Sequence, residues 1–418
     1  MSHKSYAFAA YPPQGQAQAA ARLFGSCRWL WNQALDMRET ARKAGEPIPT
    51  MKELSAMLPV WKHTPETAWL GEVSSVALQQ KLRDLDQAYK NFFDSLTGKR
   101  KGKRVNPPRF KKRGNRDTAR FTRNSGFKVY ETTHGVGFVT LPKIGRIRFV
   151  LSRPLPSAPT SVTLIKHPSG RWEVVFVVEV EDQVIDTGAT TVAGIDYGLK
   201  DLATIARSDG TREKVENPRW LRKTEKKLAR EQRILSRKEK GSANWRKQRI
   251  RVARAHERVR NARSDHHHKL ALSIVRENQT VVLEGVSPSA LSRTRMGKSV
   301  HDAAWGQLAR LIHEKAPTYG CEVITLDRFD PTTRTCSICG EISAPKPLSV
   351  RQWECEGCGT VLDRDYNAAV NIMVGAGHAQ TLNACGRQVR LTLAQAGAAQ
   401  PEEAGTHRND PTPLRAAA

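Results

Sequence analysis

Negative charge is what this sequence most lacks: 68 Lys and Arg face only 41 Asp and Glu, for a net charge of +27. Long apolar runs are missing as well. The most apolar stretch, 174–178, is bounded by Glu173 and Glu179, far short of the roughly 20 residues a membrane helix needs, so no membrane segment is expected. Residues 1–14 have no apolar core of a secretory signal, and seven cysteines in 418 residues are too few for a disulfide scaffold. Both fit a reducing cytosol. There is no phosphate-binding P-loop and no glycine-rich dinucleotide fingerprint, so ATP and NAD chemistry lack support. No serine or cysteine nucleophile is recognisably paired with a base.

The positive charge is concentrated. Residues 99–116 carry ten positive charges and no negative one, and 211–263 carry twenty against six. Two such tracts imply a polyanionic partner. Nucleic acid fits better than an anionic membrane, because neither tract is accompanied by a clean apolar face. The candidate contacts are Arg109, Lys111, Lys112 and Arg113 in the first tract and Lys226, Lys227 and Arg230 in the second.

The apolar pattern changes along the chain. After a strand-like 6–10, the pattern is helical from 16 to about 96, with Val76, Leu78, Leu82, Leu85, Tyr89 and Phe92 forming one stripe. From about 121 to 180 it alternates, as in 137–141, 146–149, 161–165 and 171–176, which reads as a small antiparallel barrel or sandwich. From 192 strands and helices mix: strands at 192–195, 202–206, 280–283 and 321–326, a long basic helical stretch over about 218–260 interrupted near 241–242, and helices at about 269–277, 303–315 and 367–374. That order suits an α/β layer fold. Beyond about 381 the chain is rich in Ala, Pro and polar residues, the composition of a disordered tail.

Four cysteines, Cys336, Cys339, Cys355 and Cys358, form two C-x2-C knuckles fifteen residues apart. That spacing suits a structural Zn²⁺ held by four thiolates, with no open coordination position for catalysis. Three acidic residues stand out beside it. Asp196 ends an apolar strand in a Gly-flanked position, Glu284 ends another, and Asp365 opens the helix just past the zinc ribbon. Carboxylates at strand ends of an α/β sheet can converge on one edge. There they repel one another unless hard divalent cations such as Mg²⁺ neutralise them, and two such ions suit phosphodiester hydrolysis. Each residue also has an ordinary reading: Asp196 as a turn residue, Glu284 as a solvated strand end, and Asp365 as a helix N-cap with Asp363 its rival for either role. His266, His267 and His268 are consecutive, so on a helix they do not share a face on which to chelate one ion.

These motifs resemble the TnpB/OrfB family of transposon-encoded proteins, relatives of the type V CRISPR effectors. The likeness runs through Tyr11-Pro12, 28–32, Leu78-Gln79-Gln80, 88–93, 108–112, 194–198, 268–270, Glu284, Trp305, both cysteine knuckles and, most specifically, the run 363–369 (Asp-Arg-Asp-Tyr-Asn-Ala-Ala). The departure is small: Pro317 falls where a continuous helix is expected. The resemblance implies a multidomain α+β protein: a RuvC/RNase H-like α/β nuclease domain with an inserted four-cysteine zinc ribbon, an N-terminal helical recognition lobe and a small β-barrel wedge domain. The implied divisions are 1–15 (first wedge strand), 16–117 (recognition lobe), 118–185 (wedge barrel), 186–335 (nuclease), 336–358 (zinc ribbon), 359–380 (last part of the nuclease) and 381–418 (disordered tail). By the same resemblance Asp196, Glu284 and Asp365 are the catalytic residues holding two Mg²⁺. The implied activity is RNA-guided cleavage of DNA beside a short duplex motif, by a monomer in a ribonucleoprotein with guide RNA and target DNA. The competing readings are a transposase acting directly on transposon ends, a miniature CRISPR effector, and a binding-only protein; the filled acidic trio argues against the last.

Overall fold

The computed structural model describes residues 2–102, 104–132, 135–327, 330–347, 349–375, 381–382 and 388–389. Most of the expected tail, 381–418, lies outside them. The chain divides into two units: Met1–Asp182 with Ile234–Arg254, and Gln183–Arg233 with the described residues from Ala255 onward.

The first unit begins with β1 (Ser2–Tyr11), α1 (Gln14–Ala44), α2 (Met51–His63) and α3 (Ser75–Leu96). Local chemistry sets these boundaries. Gly45, at φ +72°, terminates α1, because a left-handed C-terminal residue favours glycine. Thr50 and Glu53 form a reciprocal capping box at the start of α2. Then come β2 (Asp117–Thr122), β3 (Lys128–Glu131), β4 (Val136–Leu141), β5 (Gly145–Val150), β6 (Ser161–Lys166) and β7 (Trp172–Val180). They form one antiparallel sheet in the order β2-β6-β7-β1-β5-β4-β3. The N-terminal strand therefore lies mid-sheet, paired with β7 from Ser2↔Val180 to Ala10↔Trp172 and with β5 at Ala10↔Phe149.

Strand pairing does not close this sheet into a barrel. Among the described residues β2 and β3, consecutive in sequence, stand at opposite edges. Helices α1 and α3 lie against β2, so its inward Ala119 and Phe121 are buried without a β3 neighbour. Phe8, Phe149 and Phe176, with ring centroids 5.2–6.0 Å apart, share one apolar cluster with Leu23 and Leu30 of α1 and Leu78 and Leu82 of α3. Helices and sheet thus have a common core.

The second unit carries β8 (Val192–Tyr197), β9 (Asp201–Arg207), β10 (Arg212–Glu216), α4 (Trp220–Ser236) and α5 (Ala243–Glu277), whose ends fall in this unit and in the first. It continues through β11 (Thr280–Leu283), α6 (Pro288–Leu291), α7 (Gly297–Ala303), α8 (Trp305–Lys315), β12 (Glu322–Thr325), β13 (Gln352–Glu354), β14 (Val361–Asp363) and α9 (Arg364–Gly375). The sheet order is β10-β9-β8-β11-β12, with β8, β11 and β12 parallel and β9 and β10 antiparallel. Ala193, Ile195, Val281 and Leu283 pack with Ala271, Ile274 and Val275 of α5 and Leu308 and Leu311 of α8. Val192 and Val282 pack with Ile372 and Met373 of α9. The two-residue period of a strand thus sorts this unit into three layers.

One expectation changes here. The helix expected over 269–277 is the last part of α5, which runs unbroken for 35 residues. Helix α8 stops at Lys315 and passes into a 3-10 turn, Ala316–Tyr319, containing Pro317. Proline lacks the N–H that a continuing helix requires. Among the described residues no helix is long and apolar enough to cross a membrane.

Candidate active site and metal module

The same alternation decides where the acidic residues point. On β8 the odd positions 193 and 195 face α5 and α8, so Asp196 faces α9 with Val192 and Gly194. On β11, Val282 faces α9, and so does Glu284 just past the strand end. Leu283 is in register with Ile195, which sets Glu284 alongside Asp196 at the ends of two parallel strands. Asp365 lies in the first turn of α9 on that face. All three line one cavity of about 400 Å³, together with Gly198, Trp305, Arg351 and Arg364. Burial and the neighbouring Glu284 and Asp365 carboxylates push Asp196 well above the usual carboxylate range. Burial also raises Glu284.

Asp363 takes the capping role that the sequence left open. Its Oδ1 accepts from the backbone N–H groups of Asp365 (3.1 Å) and Tyr366 (3.0 Å), and its Oδ2 from Lys214 Nζ at 2.8 Å. Asp365 is released to the cavity, where Arg351 approaches its Oδ1 at 3.5 Å. Gly194 sets how closely α9 approaches. A Cβ there would lie 2.1 Å from Ala369 O and 2.5 Å from Met373 N. At Gly198 a Cβ would meet Asp201 O at 2.6 Å, and the Gly198 carbonyl accepts from Trp305 Nε1 at 3.2 Å. The two glycines of 194–198 thus have separate steric causes on either side of Asp196.

The four cysteine sulfurs lie within 4.8 Å of one another. The Cys336–Cys358 separation is 3.8 Å and the Cys339–Cys355 separation 3.6 Å. These match the edge of a tetrahedron with metal–sulfur bonds of about 2.3 Å, so the cluster can hold zinc. The two knuckles repeat one turn: Gly340 N donates to Cys336 O (3.0 Å) and Gly359 N to Cys355 O (2.8 Å). Trp353 is buried in this module, with Lys346 Nζ 3.8 Å from its ring centre. The module is fixed to α9 by two asparagines. Asn367 accepts from Ser337 N (2.8 Å) and donates to Thr335 O (2.7 Å), and Asn371 donates to Thr332 O and Thr335 O. The helix bearing Asp365 is therefore tied to the first cysteine knuckle. Nothing in the spacing signalled Asn371 or Lys214.

The basic candidates separate. Arg109, Lys112, Arg113, Lys226, Lys227 and Arg230 are exposed. Lys111 turns inward, with Nζ 3.4 Å from the Trp31 ring centre. Asn32 clasps its backbone, accepting from Lys111 N (2.8 Å) and donating to Lys111 O (3.1 Å). His267 is buried, and burial holds its imidazole down to about 4. Among the described residues only the cysteines, not the three histidines, draw their ligand atoms that close.

Comparison with known proteins decides the family. A relative from Streptomyces pristinaespiralis, named "Putative RNA-guided DNA endonuclease", is 40% identical over 395 residues, covering 93% of this chain and 92% of the relative. The chain belongs to the TnpB/OrfB family. A second member, "Putative RNA-guided DNA endonuclease InsQ" of Escherichia coli K12, is 33% identical and covers 90% and 93% of the two chains. The IS605 OrfB family model, described as "Probable transposase", matches residues 175–295, a "Cas12f1-like, TNB domain" model matches 305–372, and a "Helix-turn-helix domain" model matches 1–47. Residues 1–47 hold β1 and α1 here. In fold, this TnpB/OrfB member is similar to a Cas12f1 solved in complex with sgRNA and target DNA (TM-score 0.54, 15% identity, 86% and 82% coverage) and to the mini-RNA-guided endonuclease CRISPR-Cas_phi3 (TM-score 0.53, 8% identity, 89% and 92% coverage).

Proposed function

We propose that this protein is an RNA-guided DNA endonuclease of an insertion sequence, with Asp196, Glu284 and Asp365 as its catalytic carboxylates. The observation that carries the reading is their convergence in one cavity from positions 88 and 81 residues apart. The five-strand sheet, with carboxylates at the ends of β8 and β11 and a third on α9, supports a RuvC/RNase H-like nuclease domain. The helices and sheet of the first unit suit the recognition lobe and wedge, and the cysteine module a zinc-bound insertion. The partners are a guide RNA and a target DNA.

The donor set fits Mg²⁺: three carboxylates line one cavity, and the charges of Glu284 and Asp365 disfavour ionised Asp196, a cost that a hard cation relieves. Asp196, Glu284 and Asp365 would hold it. Divalent ions bound there supply Lewis-acid activation of water and of the leaving oxygen in phosphodiester hydrolysis. The protein's own contribution is placement. Gly194 and the Asn367–Thr335 tie set the position of α9, Asp363 caps the helix so that Asp365 faces the cavity, and Trp305 braces the Gly198 turn.

The test is cleavage by the ribonucleoprotein purified with its own RNA. Asp196→Ala and Asp365→Ala should abolish cutting while retaining RNA and DNA binding. Asp363→Ala should cost about 1 kcal/mol of stability, as the loss of a helix cap usually does, and leave cutting measurable. Cutting by Asp365→Ala but not Asp363→Ala would reverse the assignment. Cutting of transposon ends that survives RNase treatment would establish a protein-only transposase instead.

A further inference from the structure

A second cavity, of about 260 Å³, adjoins the carboxylate cavity and shares Leu199, Lys200 and Arg351 with it. Its lining is strongly cationic: Lys200, Arg219, Arg222 and Arg351 face one carboxylate, Asp302. That carboxylate is already engaged, Oδ1 accepting from Leu221 N at 2.8 Å and Oδ2 from Arg222 N at 3.2 Å. Among the described residues, Lys200 and the Arg222 side chain have no hydrogen-bond or ion-pair partner.

Arg219 is held in place at a conformational cost. Its φ is +50°, in the left-handed region that side chains other than glycine avoid. The buried Asn217 imposes this turn, donating to Leu199 O at 2.9 Å and accepting from Arg219 N at 3.2 Å. The guanidinium makes one long contact, to Leu199 O at 3.5 Å, which leaves most of its donors available. A strained residue locked beside a cavity is a common mark of a binding site. Guanidinium groups match phosphate oxygens in pairs.

We propose that this cavity is a phosphodiester cradle that holds the strand being cut at a phosphate neighbouring the scissile one, with Arg219 and Arg222 as positioning residues. The inference rests on the nuclease reading above and adds a binding site to it. A strand anchored on one side of the carboxylates brings its next phosphate into them without a separate search, and misplacement at this level slows catalysis by large factors.

The experiment uses the RNA-bound protein and target DNAs carrying single neutral methylphosphonate linkages scanned across the cut site. Wild type should lose about tenfold or more in cleavage rate at one or two linkages flanking the cut. Arg219→Gly and Arg222→Gln should be slowed by a similar factor on unmodified DNA and lose their sensitivity at those same linkages, the coupling expected of direct partners. Arg219→Lys should recover part of the rate. Glycine also relieves the φ strain, so Arg219→Gly should melt no lower than wild type, and its slowing cannot then be ascribed to misfolding. Arg222 lies on helical backbone and carries the same test independently. Wild-type cutting with rate losses that simply add, or with both variants unimpaired, overturns the cradle alone. A wild-type complex that cuts no DNA overturns the nuclease reading and the cradle together.

Discussion

Lys111 belongs to a tract of ten positive charges, yet its ammonium is turned onto an indole ring, and burial lowers it to about 8 from 10.5. Between those values the unfolded chain keeps this proton and the folded chain has released it. Stability from this residue therefore rises with pH across that window and is flat below it. Lys111→Met should be more stable than wild type near pH 7.5, and its lead should shrink steadily toward pH 10. Denaturant midpoints of the two proteins at four pH values measure this; a constant difference would show that the lysine titrates like a solvent-exposed one. The sequence could not reveal this environment. A lysine between Phe110 and Lys112 gives no sign of which tract member folds inward, because the partners, Trp31 and Asn32, lie 79 or more residues earlier.

At the scale of elements, β8 and α9 meet across Gly194, where a methyl group would collide with the backbone of α9 at 2.1 Å and 2.5 Å. Gly194→Ala cannot be absorbed by rotating a side chain; the helix must shift. We expect a stability loss of about 1–3 kcal/mol or more, typical of overpacking, and a cleavage defect larger than that loss explains, because α9 carries Asp365. Thermal melts paired with cleavage rates at a temperature where the variant is fully folded separate the two effects; full activity there would mean that the spacing is unimportant. The apolar strands β8 and β11 and the acidic residues at their ends were legible from residue pattern, since period-two burial leaves a trace in sequence. The reason for Gly194 was not, because it depends on a helix about 175 residues later. β10 was missed as well. Its Arg-Glu-Lys-Val-Glu composition is that of a charged edge strand, which gives no apolar alternation to read, although Lys214 on it supports the cap of α9. The unbroken α5 was hidden by its polar composition, and the open edges of the first sheet by the helices that cover β2.

At the scale of the whole molecule, charge is the property that composition reports most directly, and both units carry it. The tract 99–116 lies in the first unit, and α4 lies largely in the second. A net charge of +27 would cost self-repulsion in a free protein, and a nucleic acid relieves it by exchanging its condensed counterions for Lys and Arg. That exchange has a thermodynamic signature. If about ten phosphates are neutralised, log K for duplex-like nucleic acid should fall by roughly nine for each tenfold rise in salt, and by roughly seven for single strands. Filter binding or anisotropy between about 0.1 and 0.5 M salt reads the slope. Because the slope reports neutralised phosphates rather than chemistry, Asp196→Ala should leave it unchanged. Replacing Arg109, Lys112 and Arg113 together by Gln should reduce it by up to about three, one for each phosphate no longer neutralised. Were Lys111 instead the residue whose removal flattened the slope, its inward orientation over Trp31 would have to open on binding. A slope near zero for wild type would mean that the positive charge serves something other than nucleic acid.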